Sequence, residues 1–315
     1  MSWILIASIS YLLLAIVNLT DKFMVDNIIK SSKLYVFLVC SLGALIVFLS
    51  PWLLVWPGWT IVSLNFIAGI LFVVAQYFLY ESLRSGSASK SLILIGGSIP
   101  VFTFLFSVAF LEEHFSAIQV IGGAYLLFGI FLMAFLPTKK HFWEKILLKF
   151  RTDNDVRNNL KYIFLASFFY SLFFTLTKFV YSLQSFWSAF IWVRLCALII
   201  VILLLFIPVW RADIFSLFHK KRKLSGHHNW KITLLFLFNQ GLGSISFVLQ
   251  NYAIFLGSVA MVNALQGVQY GALLFFGLVF GGVMPKNMRE KFSLKIFSYK
   301  VLAIVIISLG LYFII

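Results

Sequence analysis

LKYIFLASFFYSLFFTLTKFVYSLQSFWSAFIWVRLCALIIVILLLFIPV, residues 160–209, carries only three formal charges, Lys161, Lys178 and Arg194. A helix rises about 1.5 Å per residue, so roughly 20 apolar residues cross the hydrocarbon core of a bilayer. The stretch therefore divides into two spans, near 160–181 and 186–209. Working outward, similar runs predict spans near 3–25, 34–56, 61–81, 90–111 and 117–136 on one side, and near 231–255, 258–282 and 297–315 on the other. The 315 residues are 62% hydrophobic and 11% charged, with a mean hydropathy of +1.02. A soluble domain has about 45–50% apolar and about 25% charged residues, so a water-soluble fold, a disordered chain and a secreted disulfide scaffold are all excluded. Cys40 and Cys196 sit inside apolar runs and read as buried thiols. Residues 1–14 lead into more apolar sequence with no small-residue cleavage site, so they are expected to open the first span. The predicted fold class is an all-α integral membrane protein of about ten transmembrane helices.

The two longest breaks, 137–159 and 210–230, leave five predicted spans on each side of the first. Residues 1–136 form one expected unit, 137–159 a linker and 160–315 a second, degenerate unit. Gly86-Ser87-Ala88 matches Gly257-Ser258-Val259, and Leu94 with Leu265 and Gly96 with Gly267 follow at the same offset. Lys22-Phe23 matches Lys178-Phe179. Val120 and Gly129 fall opposite Val301 and Gly310 once a basic insertion near 286–295 is allowed for. Five is odd, so two such copies lie in the membrane in opposite orientations, as two inverted five-helix repeats around a central cavity.

The net charge of +15 and pI near 9.8 would suggest nucleic acid in a soluble chain. Here topology accounts for it, and no nucleic-acid partner is expected. Apart from Lys22, Lys178 and Arg194, the remaining 22 basic residues fall in the odd-numbered loops, with none in the even-numbered loops or at the chain ends. The positive-inside rule then puts the odd loops in the cytoplasm and both ends outside it, in a multi-pass protein of the cell membrane. Within the linker, Phe142, Trp143, Ile146, Leu147 and Phe150 alternate at helical spacing with Lys139, Lys140, Lys145 and Lys149. That pattern suits a short helix against anionic lipid headgroups. A solvated basic loop is the plainer alternative.

A charge at the depth of Arg194 costs at least about 2.5–3.5 kcal/mol, so it faces a cavity or snorkels. Asn18, Asp21 and Lys22 share one helical face; with Lys178 they are either intramembrane polar groups or caps at span ends. Asp21 is the one carboxylate placed to carry a coupling proton. Gln240, Gly243, Phe247 and Gln250 form one stripe, and Val259, Asn263, Gln266 and Tyr270 another. Such amides either line a polar cavity or glue helices together. Trp187 and Trp192 offer an aromatic wall. The adjacent His227-His228 and the scattered His114, His141 and His219 lack metal-ligand spacing, and the loop at 86–91 lacks the second glycine of a phosphate loop. No metal and no cofactor are expected.

Tyr80, Gly86, Ser87, Ala88, Pro100-Val101-Phe102, Glu113, Ser116, Gln119, Gly122 and Gly129 lie within one 58-residue stretch, 75–132. This stretch resembles the EamA-like branch of the drug/metabolite transporter superfamily. The resemblance implies ten spans in two inverted repeats and structural roles for Pro100, Glu113, Gly122 and Gly129. It also implies an arginine early in the seventh span and an exporter or exchanger of amino acids, metabolites, nucleotide sugars or drugs. Glu112 stands where the family has Gly, Gly271 stands opposite Pro100, and family members generally keep both ends cytoplasmic, against the charge count.

The expected function is a secondary transporter, monomer or homodimer, that moves a small polar or amphipathic metabolite, amino-acid-like or an organic anion, by alternating access. A lipid or lipid-linked-metabolite flippase is the alternative, and a membrane enzyme acting on lipid-linked substrates a third class. A closed cavity favours the first, a lateral opening between spans the second, and clustered acids or histidines the third. Arg194, Asn263, Gln266, Tyr270, Gln240, Gln250, Asn18, Lys22 and Lys178 are the candidate binding residues, with Asp21 the coupling candidate.

Overall fold

The structure, a computed structural model, describes residues 2–29, 31–85, 88–135, 154–219, 229–280 and 294–314. Among them there is helix and no strand, as expected where every backbone polar group must find its partner within its own segment. The helices are α1 (Ser2–Asn27), α2 (Ser32–Gly43), α3 (Ser50–Leu53), α4 (Trp59–Ser85), α5 (Ala88–Phe110), α6 (Ala117–Phe135), α7 (Asn154–Leu183), α8 (Phe186–Leu203), α9 (Pro208–His219), α10 (Asn229–Leu256), α11 (Val259–Ala264), α12 (Gly267–Phe280) and α13 (Leu294–Ile314). Six stretches among the described residues are long and apolar enough to cross a membrane: Ser2–Val25, Ser32–Leu53, Trp59–Ser85, Arg157–Leu183, Phe186–Phe206 and Trp230–Leu256. Among the described residues, helix also fills most of the other four predicted spans.

Local chemistry sets the ends. Ser31 accepts the Leu34 N–H (3.4 Å) at the start of α2. Ser116 and Gln119 form a reciprocal box before α6: Gln119 N–H donates to the Ser116 hydroxyl (3.2 Å), and Ser116 N–H donates to the Gln119 side-chain oxygen (3.0 Å). Gly58, at φ 92°, turns the chain between α3 and α4. Glu112 holds φ 53° in the turn between α5 and α6, which explains why a glycine belongs there. Pro100 lies inside α5, where it leaves the helix short of a hydrogen bond. In that part of α5, Ser167 and Ser171 of α7 donate to the carbonyls of Ile95 (3.2 Å) and Ile99 (3.1 Å).

The dominant pairings join the two halves of the chain. α1 runs antiparallel to α10, pinned by Ser10 and Ser246, each hydroxyl donating to the other's carbonyl at 2.8 Å. α4 runs antiparallel to α7, with Phe72 on Phe173 (5.2 Å between rings) and Gln184 donating to Asn65 (3.3 Å) at one end. α6 and α13 pack so closely that a Cβ on Gly129 would meet Ile307 at 2.6 Å, and Tyr125 lies 5.7 Å from Phe313. α1 also touches α12, α7 touches α5, and α4 touches α8.

Three expectations need correction. The span near 258–282 is broken, because the helix stops at Ala264 and restarts at Gly267. Residues 210–219, read as the start of a loop, continue the helix α9 that begins at Pro208, held where Ser31 (3.0 Å) and Lys33 (3.2 Å) donate to the Asp213 carboxylate. α7 begins at Asn154, inside the expected linker. The basic amphipathic stretch 139–150, the His227-His228 pair, Gly86-Ser87 and most of the insertion near 286–295 lie outside the described residues, and with them the expected lipid-headgroup contacts.

Candidate functional site

α1, α2, α4, α5, α7, α8 and α10 enclose a cavity of about 130 Å³, closed on one side by the break between α11 and α12. That is on the order of ten times the space one water needs. Its polar residues lie at separate positions around an aromatic and aliphatic lining. On one side is Asp21, 4% exposed. Tyr35 donates to its Oδ1 at 2.5 Å, Asn239 to the same oxygen at 2.7 Å, and Tyr80 to its Oδ2 at 3.3 Å; Gln240 in turn donates to the Tyr35 hydroxyl at 3.4 Å. Three neutral donors from three helices thus hold the carboxylate.

Arg194 is the cavity's cation. It is 6% exposed, and its guanidinium carbon lies 4.1 Å from the Phe247 ring centre, 4.5 Å from Phe72 and 5.3 Å from Phe190. Cation–π contacts of this kind offset part of the cost of burying the charge. Among the described residues no carboxylate and no hydrogen-bond acceptor takes its N–H groups. A planar fork of five donors that faces a cavity and meets no acceptor among the described residues has the geometry to pair with a carboxylate or phosphate.

Of the residues expected from sequence, Arg194, Asp21, Asn18, Gln240, Gln250 and Gln266 line this cavity together. Gln266 also donates to Gln269 (3.5 Å) at the break between α11 and α12. Asn263 lies behind the wall, where it accepts from Tyr11 (3.3 Å), whose hydroxyl also accepts from Gln250 (3.2 Å). The side chain of Tyr270 lies outside the described residues. Trp187 and Trp192 do not line the cavity: Trp192 donates to the Val55 carbonyl (3.0 Å) and meets Trp56 at the rim. The aromatic wall is made instead by Phe72, Phe174, Tyr170 and Phe247.

Lys22 and Lys178 are not among the cavity's lining residues. Lys22 donates to the Leu83 carbonyl near the end of α4, and Lys178 to those of Ile254 (2.9 Å), Phe255 (3.2 Å) and Gly257 (2.7 Å) at the end of α10. An ammonium at a helix C-terminus meets both orphan carbonyls and the negative end of the helix dipole. Sequence reading missed Gln76 as a cavity residue and Tyr35 as a buried donor to Asp21. The signal was available for Gln76, which lies one turn before Tyr80 on the same face of α4, but a lone tyrosine in an apolar run gives none. Among the residues expected to be structural, Glu113 accepts from Ser258 (2.6 Å) and ties the α5–α6 turn to α11. Gly122 and Gly129 are buried on α6.

Residues 1–135 match the model of the EamA-like transporter family. The match bears out the resemblance read from residues 75–132 and covers α1 to α6, which supply Asn18, Asp21, Tyr35, Gln76 and Tyr80. A protein of known crystal structure shares the fold at a TM-score of 0.66 with 15% identity, over 99% of this chain and 97% of that one. The shared fold therefore extends well past the EamA-like half, through α7 to α13. No curated protein matches the sequence. With six stretches long and apolar enough to cross a membrane, the chain is a multi-pass membrane protein whose residues 1–135 are similar to the EamA-like transporter family.

Proposed function

We propose that this chain is a secondary transporter that carries a small organic anion or amino-acid-like metabolite through the central cavity by alternating access. The observation that carries this reading is Arg194, a buried guanidinium that faces the cavity and has no acceptor among the described residues. Amides from Gln240, Gln250 and Gln266 add donors and acceptors for a polar solute, and Asp21 across the cavity suits an ammonium if the solute carries one. Ten helices in two inverted repeats, 1–136 and 160–315, form the framework of this proposal. In its support, α1 against α10 and α12 corresponds to α7 against α4 and α5 when the chain is shifted by five spans. Leu83 and Ile254, the acceptors of Lys22 and Lys178, are separated by the same offset as Gly86 and Gly257.

The test is a thermal-shift screen of purified protein against carboxylates and organophosphates, since a ligand that binds only the folded state raises its apparent stability. At least one should raise the melting temperature of the parent and leave Arg194→Gln unmoved, with Arg194→Lys intermediate because it lacks the bidentate fork. A stabilising anion that acts equally on Arg194→Gln places the site elsewhere. Exchange or facilitated movement fits the arrangement at Asp21, whose oxygens are already held by neutral donors. Uptake driven by an imposed pH gradient and abolished by Asp21→Asn, with folding intact, would make Asp21 the coupling acid instead.

A further inference from the structure

Arg194 lines a second cavity besides the central one. This one, of about 290 Å³, lies at the seam between α2 and α10, with Leu45 and Ile46 on one wall and Leu237, Gly241 and Val248 on the other. Gly43, Gln240 and Ser244 join Arg194 in lining both cavities, so the two meet at the guanidinium. Leu45, Leu237, Gly241 and Ser244 are exposed at the seam, within the membrane-crossing stretches Ser32–Leu53 and Trp230–Leu256, and in a bilayer such exposure is to lipid.

The seam closes at one end and opens at the other. Towards Asp21, Gln240 donates to Tyr35, whose ring meets Phe236 at 5.8 Å. Beyond Gly43, α2 gives way to a 3-10 turn over Ala44–Leu49. Two missing side chains make the window. A Cβ on Gly241 would meet nothing within 4 Å, and one on Gly43 would first meet Arg194 Nη1 at 3.4 Å.

We infer that this window admits a single-chain anionic amphiphile from the bilayer, with its carboxylate or phosphate head on Arg194 and its apolar tail left between α2 and α10. The inference rests on the reading of Arg194 as an anion site and moves its ligand towards the lipid-like class that a lateral opening between spans favours. A wholly polar anion does not dissolve in hydrocarbon and gains nothing from a lateral entrance. A tail that stays in the seam needs no room in the small central cavity, and it exchanges acyl-chain neighbours for leucine and valine without being exposed to water. The Asp21 carboxylate, also facing the central cavity, repels an anionic head and keeps it at Arg194.

The experiment uses the full chain in phosphatidylcholine vesicles and a palmitate bearing a diazirine on its chain, with labelled sites mapped by mass spectrometry. Labels should gather at Leu45, Leu237 and Val248. They should fall about tenfold, the equivalent of roughly 1.4 kcal/mol, in Arg194→Gln and in Gly241→Leu, which plugs the window from open space. The methyl ester of the probe should label the seam no more than the lipid face of α1. Equal labelling by acid and ester, or labelling unchanged by Gly241→Leu, overturns the portal. A parallel melting measurement with phenyl phosphate separates the two ideas. A shift that depends on Arg194, without seam labelling, leaves the anion site standing and removes the portal. No shift, together with seam labelling indifferent to Arg194, removes both.

Discussion

Lys178 places its ammonium against three carbonyls at the end of α10, an arrangement no neutral side chain can replace. Hydrogen bonds to a charged group contribute about 1.5–3 kcal/mol, so Lys178→Met should lower the unfolding free energy in detergent by about that amount. Lys178→Arg should restore most of it, and a Met variant as stable as the parent would remove the capping role. Sequence alone paired Lys178 with Lys22 through the neighbouring Phe, but it offered cavity and cap equally. Which it is depends on whether another helix happens to end alongside, and that is a tertiary fact. Arg194 was legible for the opposite reason: a guanidinium eight residues into an apolar run has few places to go, and a protein-lined cavity is the least costly. Asn263 was misplaced by one layer because a stripe at helical spacing says which face is polar, not whether a tyrosine stands in front of it.

At the level of elements, the turn between α5 and α6 shows how a local rule is broken and compensated. Glu112 occupies a left-handed conformation at a cost of roughly 1–2 kcal/mol for a residue with a Cβ, while the Ser116–Gln119 box and the Glu113–Ser258 hydrogen bond hold the turn in place. Glu112→Gly should therefore stabilise the protein by about 1 kcal/mol, read as a higher melting temperature. The contact of α6 with α13 has no such slack. Gly129→Leu drives a side chain into Ile307 and the Ala303 carbonyl, and overpacking of this kind costs about 1–3 kcal/mol, visible as a lower melting temperature. Helix positions were legible almost throughout, because apolar length decides them. The break at Leu265–Gln266 and the helix at 208–219 were not, since the first interrupts an apolar run that contains no proline and the second depends on Asp213 finding Ser31 and Lys33.

For the whole molecule, the charge count predicts that both chain ends lie outside the cytoplasm, against the usual EamA-like orientation. A C-terminal reporter that fluoresces only in the cytoplasm should stay dark; bright cells would show that the family orientation wins over 22 basic residues on one face. The proposed repeat rests in the sequence on scattered matches such as Gly86 with Gly257, and it fades where the two halves differ most, as at the basic insertion near 286–295. The cross-half pairing bears on how the protein is made. Asp21 and Asn239 are separated by 218 residues, and a ribosome adds about 5–20 residues per second. For something on the order of 10–40 s, α1 sits in the membrane with the Asp21 carboxylate before Asn239 of α10 exists to complete its set of donors. Insertion machinery then shelters the first helices for that interval, and a chain stalled after α6 offers the quality-control proteases a surface that α10 has not yet covered.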